Sequence, residues 1–463
     1  MVWRIVAQPT GGTMADREDD IEMIRRRNAL LGADFRAARL ARKWRSQTIA
    51  CRRTGLKRGV ISKIEQGDPA RLCHYQAYAH ALGMRLGLVP DEGTDEGSPP
   101  DVESLATAVA TRAMSVIMEM DRYREDPVNV DRRQLIVSLA ALLVGSGVPR
   151  SLRQLFLERN FPISSVDDVE ALASDCGRYL LDQCATAGGG AVCDVSLAMY
   201  QQVGSWLEHG THTGSMQQSL EHLRCELGAW VGWLMLDAGR LGPAERHLEK
   251  TLVQARLAGS SIAEAHALDS VCTLLKRRGQ LTRSRQAAEL GLRVAEGTGS
   301  PRMRAQFHLR IAKASGRLGD TASFGTHAAA AKEALAASAD TRSPLWLEFL
   351  TTGAYDLGDG LFALGQAGQA AEAFRSIARA PETNHHRDVV HAMVREAQAL
   401  AMMGDAGAAA EGGLLALSRA GAVDSALIRG DLRALRGTLS RQAGTPLARH
   451  FVSAYDELTP AIA

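Results

Sequence analysis

Apolar positions recur at helical spacing along almost the whole chain, separated by short polar or Gly-rich breaks. Ile24, Leu30, Leu31, Phe35 and Ala38, with arginines on the other faces, predict a helix over 24–43. Gln47–Thr54 and Lys57–Gln66 read as two short helices around Gly55, a residue without a Cβ that suits a tight turn. Ile61 and Ile64 share one face of the second, and Lys57, Arg58 and Lys63 occupy its other faces. Arg71–Leu82 predicts one more helix, stopped by Gly83, and Leu86–Val89 a short apolar strand. Residues 1–23, polar with an acidic patch, read as a disordered tail, so the first folded domain spans 24–90. Residues 91–101, acidic, without an apolar run and closing on Pro99-Pro100, read as a linker. Residues 102–219 form a helical connecting region, broken at Asp126-Pro127 and at Gly188-Gly189-Gly190, which reads as a flexible loop.

From 220 to 463 the pattern repeats. Turn signals centred on Gly239, Gly279, Gly319, Gly368 and Gly404 each follow an apolar-periodic helix and precede an Ala-rich one. A helix, a Gly turn and a helix at a period near 40 is a helical solenoid unit. One such hairpin cannot bury its apolar face alone, so the units must stack. The fold class is therefore all-α: a small N-terminal helical head followed by an α-solenoid.

Composition adds a constraint on the core, and charge adds one on partners. Of 463 residues 46% are hydrophobic but only 5% aromatic, so close-packed Ala, Leu, Val and Met must fill the interior. The net charge of +2 hides an asymmetry: residues 1–90 carry 17 Lys+Arg against 8 Asp+Glu, leaving 37 basic and 44 acidic residues for the remainder. A basic head on a mildly acidic body is the electrostatic footprint of a nucleic-acid binder. The seven cysteines include no CxxC pair, which points away from a disulfide framework or zinc ribbon and toward a reducing cytoplasm. No apolar run reaches the ~20 residues needed to cross a bilayer, so no membrane partner is expected. Arg132-Arg133-Gln134-Leu135-Ile136 imitates a twin-arginine signal but lies deep inside the chain and reads as a buried helix.

Two resemblances rest on these residues. The segment from Phe35 to Leu88 resembles the helix-turn-helix of the phage-repressor (XRE) family: Ser46-Gln47 opens the second helix, Gly55 makes the turn, Ile61-x-x-Ile64-Glu65-x-Gly67 closes the third, and Ala81-Leu82-Gly83 ends the domain. The resemblance implies that Gln47 binds a DNA phosphate, that Arg58, Gly59 and Lys63 meet base edges, and that Arg39 pairs with Glu65. The sequence departs from the family pattern by one extra residue between Arg39 and Gln47, by Ala50, Cys51 and Thr54 where larger apolar residues are usual, and by Gly59, which offers no side chain. The C-terminal half resembles degenerate tetratricopeptide (TPR) repeats. The whole resembles XRE–TPR transcriptional regulators of actinomycete type, with Val130–Leu135 as a further similarity.

The DNA-binding set is thus Gln47, Lys57, Arg58, Gly59 and Lys63, with Arg45, Arg52 and Arg53 joining Lys57 on phosphates; the plain alternative is a solvated basic helix face. Partners implied are double-stranded DNA carrying an inverted repeat, a second copy of the chain, since one recognition helix reads only a few base pairs, and a peptide, protein or small-molecule signal on the TPR-like groove. His209-Gly-Thr-His212 and His385-His386 lack a third ligand and read as surface histidines rather than metal ligands. Trp206, Trp230, Trp233 and Trp346 read as solenoid core, and Trp44 as packing inside the head. No nucleophile–base constellation and no cofactor motif occurs, so no catalytic residue, metal or cofactor is expected and the chain reads as a non-enzyme. The rival reading is a protein-interaction scaffold with a degenerate helix-turn-helix.

Overall fold

A computed structural model of the chain describes residues 2–3, 36, 40, 46–54, 57–66, 85–86, 151–152, 155 and, apart from 211, 213, 339–343, 349–352, 380–384 and 443, residues 165–458. The chain divides into two compact units, Met1–Leu105 with Ala140–Val148, and Ala106–Leu139 with Pro149–Ala463.

In the first unit, α1 spans Gln47–Thr54 and α2 spans Arg58–Gln66. Ser46 starts α1: its hydroxyl accepts from the Ile49 N–H at 3.4 Å, one of the orphan donors of a helix N-terminus. Ala50, Ile61 and Ile64 are fully buried, as the three-residue spacing of the isoleucines requires. Strand β1 (Val2–Trp3) pairs in parallel with β2 (Arg85–Leu86). The predicted strand thus holds at Leu86, and two residues of the N-terminal tail take part in it. The helices expected over 24–43 and 71–82, the linker 91–101, Trp44 and Arg39 lie outside the described residues, or nearly so.

The described part of the second unit is a helical-repeat solenoid. Helices α3 (Val166–Ala187) and α4 (Gly189–His209) precede five hairpins: α5 (Gly214–Asp237) with α6 (Leu241–Ala258), α7 (Ser261–Arg277) with α8 (Leu281–Thr298), α9 (Pro301–Arg317) with α10 (Thr321–Ala336), α11 (Ala354–Ala363) with α12 (Ala367–Ala378), and α13 (His386–Met402) with α14 (Ala406–Ala420). Helices α15 (Ala426–Arg441) and α16 (Pro446–Leu458) close the chain. A 3-10 turn, Leu345–Leu347, precedes α11.

Each hairpin turns at a left-handed glycine: Gly239, Gly279, Gly319, Gly365 and Gly404 have φ between 73° and 86°. At the first, the Gly239 N–H reaches the Leu236 carbonyl at 3.0 Å and the Arg240 N–H the Met235 carbonyl at 2.8 Å. The same pair of bonds recurs at the other four, which makes each a Schellman cap. Four of the five turns are the ones predicted. The fourth is corrected from Gly368 to Gly365, because the Gln366 N–H bonds the Leu361 carbonyl at 2.9 Å while Gly368 continues inside α12. Two further left-handed glycines, Gly259 and Gly299, cap α6 and α8 and join one hairpin to the next.

The fifth residue after each turn is buried: Ala244, Ser284, Phe324, Ala370 and Ala409. Small side chains there let the two helices approach. The exception, Phe324, is matched by Gly360 on α11, where a methyl group would sit 2.6 Å from Phe324 Cε2. The Gly188–Gly190 stretch is also corrected. Gly188 (φ 87°) is a one-residue break between α3 and α4, and Gly189-Gly190 begin α4. The glycines allow close packing: the Gly190 N–H donates to the Asp424 carbonyl at 3.0 Å, and a methyl group at Gly190 would lie 2.1 Å from Asp424 Oδ2. Asp424 precedes α15, so early and late parts of the solenoid meet here, and α3 likewise packs against both α5 and α13.

Candidate functional site

Two groups of residues carry chemistry, one in each unit.

The first is the α1–α2 pair. Lys57, just before α2, and Arg58, Gly59 and Lys63 within it are exposed, whereas Ile61 and Ile64 are buried. Gln47, at the start of α1, is half-buried, and its Nε2 donates to Glu65 Oε2 at 3.1 Å. That bond uses one amide hydrogen, leaves the other free to donate, and ties the entrance of α1 to the end of α2. Glu65 therefore meets Gln47. Arg52 and Arg53 fall in the second half of α1, and Arg45 lies outside the described residues. A methyl group at Gly59 would meet nothing within 4 Å, so the glycine leaves an open place on the basic face.

The second group went unnoticed in the sequence. It is a chain of ion pairs linking the first helices of successive hairpins. Asp269 on α7 accepts both Nε (2.6 Å) and Nη2 (2.7 Å) of Arg310 on α9, and Gln306 Nε2 at 2.7 Å. Arg310 Nη1 reaches Asp356 Oδ1 on α11 at 3.0 Å, and Lys313 Nζ reaches the same oxygen at 2.7 Å. One turn on, Asp359 gathers four cations: Lys276 from α7 at 3.4 Å, Lys313 at 3.4 Å, Arg317 at 2.7 Å and Arg395 from α13 at 2.5 Å. Burial would raise the Asp359 pKa, but these four neighbours hold it well below the usual carboxylate range. Beyond it, His391 Nε2 lies 2.8 Å from both Tyr355 Oη and Asp431 Oδ2.

A bidentate pair closes the series. Arg387 at the start of α13 donates Nη2 (2.6 Å) and Nε (3.3 Å) to Asp237 at the end of α5. Asp237 is fully buried and also accepts from Ser425 Oγ (2.7 Å) and the Gly189 N–H (2.8 Å). Burial opposes its charge, and Arg387 with these donors outweighs burial and lowers the pKa. A sequence trace of the network does exist: Arg310, Lys313 and Arg317 repeat at three and four residues on α9, matching Asp356 and Asp359 on α11. Such a stripe reads equally well as a solvated face.

The remaining candidates resolve as follows. Trp206, Trp230 and Trp346 are buried; His266 stacks on Trp346 (centroids 4.7 Å apart, planes at 2°) and meets the edge of Trp230 at 5.0 Å. Trp233 lies under the Arg387 guanidinium. His209 and His212 bond backbone carbonyls of α4, and His385 faces Asp388. A histidine pair not singled out in the sequence, His308 and His327, has its Nδ1 atoms 2.9 Å apart. Among the described residues no group of three or more His, Cys, Asp or Glu side chains is arranged to hold a metal ion. The six described cysteines are free thiols, and burial pushes Cys184 and Cys193 up to about 12, which keeps them protonated and poor nucleophiles. No described helix is long and apolar enough to cross a membrane.

No protein-family model matches the chain, and no curated protein matches it. Among solved structures it is similar to a signal-transduction ATPase with numerous domains (STAND) carrying a tetratricopeptide-repeat sensor, from Pyrococcus horikoshii, at 12% identity and a TM-score of 0.37, covering 92% of this chain and 72% of that one. At that TM-score the likeness carries no inference about this chain.

Proposed function

We propose that the chain is a sequence-specific DNA-binding transcriptional regulator, acting in the cytoplasm as a dimer, whose helical repeats receive the regulating signal. The observation that supports this most is the division of α2 into two faces. Ile61 and Ile64 are buried while Lys57, Arg58 and Lys63 stand exposed. A short helix anchored by apolar residues and presenting cations has the shape and charge to enter a major groove. The net of +9 over residues 1–90, from 17 basic and 8 acidic residues, supports the same reading. In it, Arg58 and Lys63 read base edges, Lys57 and the α1 residues Gln47, Arg52 and Arg53 hold phosphates together with Arg45, and Gly59 lets the backbone come close. Two copies reading an inverted repeat would supply the specificity that one helix lacks. The repeats would set the separation of the two heads, and a signal that alters it would change operator affinity.

The test is a selection of genomic fragments by the purified full-length protein. An enriched inverted repeat, lost by the Arg58→Ala plus Lys63→Ala variant, is the expected result. Binding of the selected operator by that variant at parental affinity would sink the assignment of the recognition helix. Recovery of no common sequence, with affinity governed by salt alone, would favour the interaction scaffold.

A further inference from the structure

The stacking of the hairpins is interrupted at one junction. Elsewhere the second helix of one hairpin packs on the first helix of the next: α6 on α7, α8 on α9 and α12 on α13. Between α10 and α11 the described residues make no comparable contact, although α9 packs on both. The connections account for the difference. Gly259-Ser260 joins α6 to α7 and Gly299-Ser300 joins α8 to α9, whereas α10 is joined to α11 by the much longer stretch 337–353. Within that stretch the 3-10 turn Leu345–Leu347 is anchored elsewhere, against α3 and α9, with Trp346 stacked on His266 of α7.

The interruption leaves a cavity of about 570 Å³ at the corner of α9, α10 and α11, a size ordinary for small-ligand sites. Leu309 of α9, Leu357 of α11 and Ala328, Ala331 and Leu335 of α10 form its apolar walls. The α10 residues share one helical face, at spacings of three and four. Among the described residues no aromatic and no acidic side chain lines the space. Its one charged group is Lys332, on the same face of α10, exposed and without an ion-pair partner among the described residues.

We propose that this cavity binds a free aliphatic carboxylate, a fatty acid of medium chain length, with its tail against the leucines and alanines and its head on Lys332 Nζ. Leucine and alanine walls suit a flexible saturated chain and offer no ring for an aromatic ligand to stack on. One ammonium matches one negative charge, and a phosphate dianion would leave a charge unmatched beside an apolar wall. A peptide would bring backbone N–H and C=O groups against walls that cannot satisfy them. The bound tail supplies the packing that α10 and α11 lack, so the ligand favours the folded repeats. The site does not depend on the DNA-binding reading, and its test contains no DNA.

The experiment is calorimetric titration of the full-length protein with octanoate, decanoate and dodecanoate, each below its critical micelle concentration, and with decanol. Affinity is expected to rise about fourfold per added methylene until the cavity is full. Lys332→Gln is expected to weaken decanoate severalfold and to leave decanol unchanged. Ala328→Phe, which fills the space, is expected to abolish both. Absence of binding to the parent across the series would overturn the proposal. Undiminished decanoate binding in Lys332→Gln or in Ala328→Phe would do the same, because head or tail would then be held elsewhere. If Ala328→Phe does not fold, a decanoate with a photoreactive tail decides on the parent protein: cross-links to α10 or α11 support the site, and cross-links confined to other segments refute it.

Discussion

Asp237 and Arg387 are 150 residues apart in sequence and form a bidentate pair inside the solenoid, with Nη2–Oδ1 at 2.6 Å and neither side chain more than 6% exposed. The pair ties the end of α5 to the start of α13, and Ser425 and the backbone of Gly189 add hydrogen bonds from two further segments to the same carboxylate. Removing one partner strands the other as a buried charge, which typically costs about 3–5 kcal/mol. Arg387→Met is therefore expected to destabilise the second unit by roughly that amount. Asp237→Asn plus Arg387→Met should cost clearly less than the two single changes added together, because the double variant leaves neither member of the pair as a stranded charge, and Asp388, which Arg387 also meets, keeps His385. Urea unfolding of all four proteins measures the coupling, and strict additivity would show that the pair is not the tie described.

The glycine junction between α3 and α4 is expected to tolerate no side chain. At Gly188 a Cβ would lie 2.5 Å from the Asp424 carbonyl oxygen, and φ is 87°. Gly188→Ala therefore combines overpacking, typically about 1–3 kcal/mol, with backbone strain. Gly59→Ala goes the other way. Nothing lies within 4 Å of its Cβ position, and α2 gains up to about 1 kcal/mol of helix propensity. Unfolding followed separately for the two units is expected to show opposite shifts. A loss of stability in Gly59→Ala would mean that the exposed face of α2 is packed against something.

Phe324 and Gly360 exchange the usual sizes at a hairpin interface, a large residue after the turn against none on the facing helix. Gly360→Ala places a methyl group 2.6 Å from Phe324 Cε2 and is expected to lower the unfolding midpoint by several degrees. Phe324→Leu in that background should restore part of the loss, although Phe324→Leu alone destabilises by opening a void. If Phe324→Leu instead adds a further, independent loss, the two positions are not in steric contact.

The repeats were legible because a left-handed glycine is a local requirement. Gly239, Gly279, Gly319 and Gly404 each end an apolar helix, and no other residue takes that conformation as cheaply. Gly365 and Gly368 are both flanked by Ala, Leu or Gln, and it is the left-handed φ of Gly365, with the bond from the Gln366 N–H to the Leu361 carbonyl, that distinguishes them. The ion network was illegible for a different reason. A charge on a helix face has the same local pattern whether water or another helix lies opposite. Which of the two holds for Asp359 is decided by side chains from α7, α9 and α13, up to 83 residues away. Gly188-Gly189-Gly190 was misread because close packing and flexibility favour the same residue, and the close neighbour, Asp424, belongs to a distant segment.

Two histidines give the second unit a defined acid sensitivity. His266 is 5% exposed between Trp230 and Trp346. Burial lowers its pKa to about 4 against the opposing charge of Asp269, and burial with the nearby Lys250 takes His247 to about 3. An unfolded histidine titrates near 6.5. Between that value and the folded one the unfolded chain binds more protons, so stability is fully present above about pH 6.5 and is lost as pH falls through about 4. For His266 the loss is on the order of 3 kcal/mol. Asp388 and Asp431, both lowered to about 2, lose their contribution as pH falls through the ordinary carboxylate range near 4 toward 2, so the histidine loss, which starts near 6.5, begins well above theirs. His266→Phe keeps a flat ring against Trp346 and removes the titration. Urea unfolding at pH 7.5 and at pH 4.5 is expected to show a smaller drop for His266→Phe than for the parent, by about 2–3 kcal/mol. Equal drops in the two proteins would mean that His266 is protonated within the fold, with water or a carboxylate reaching its ring.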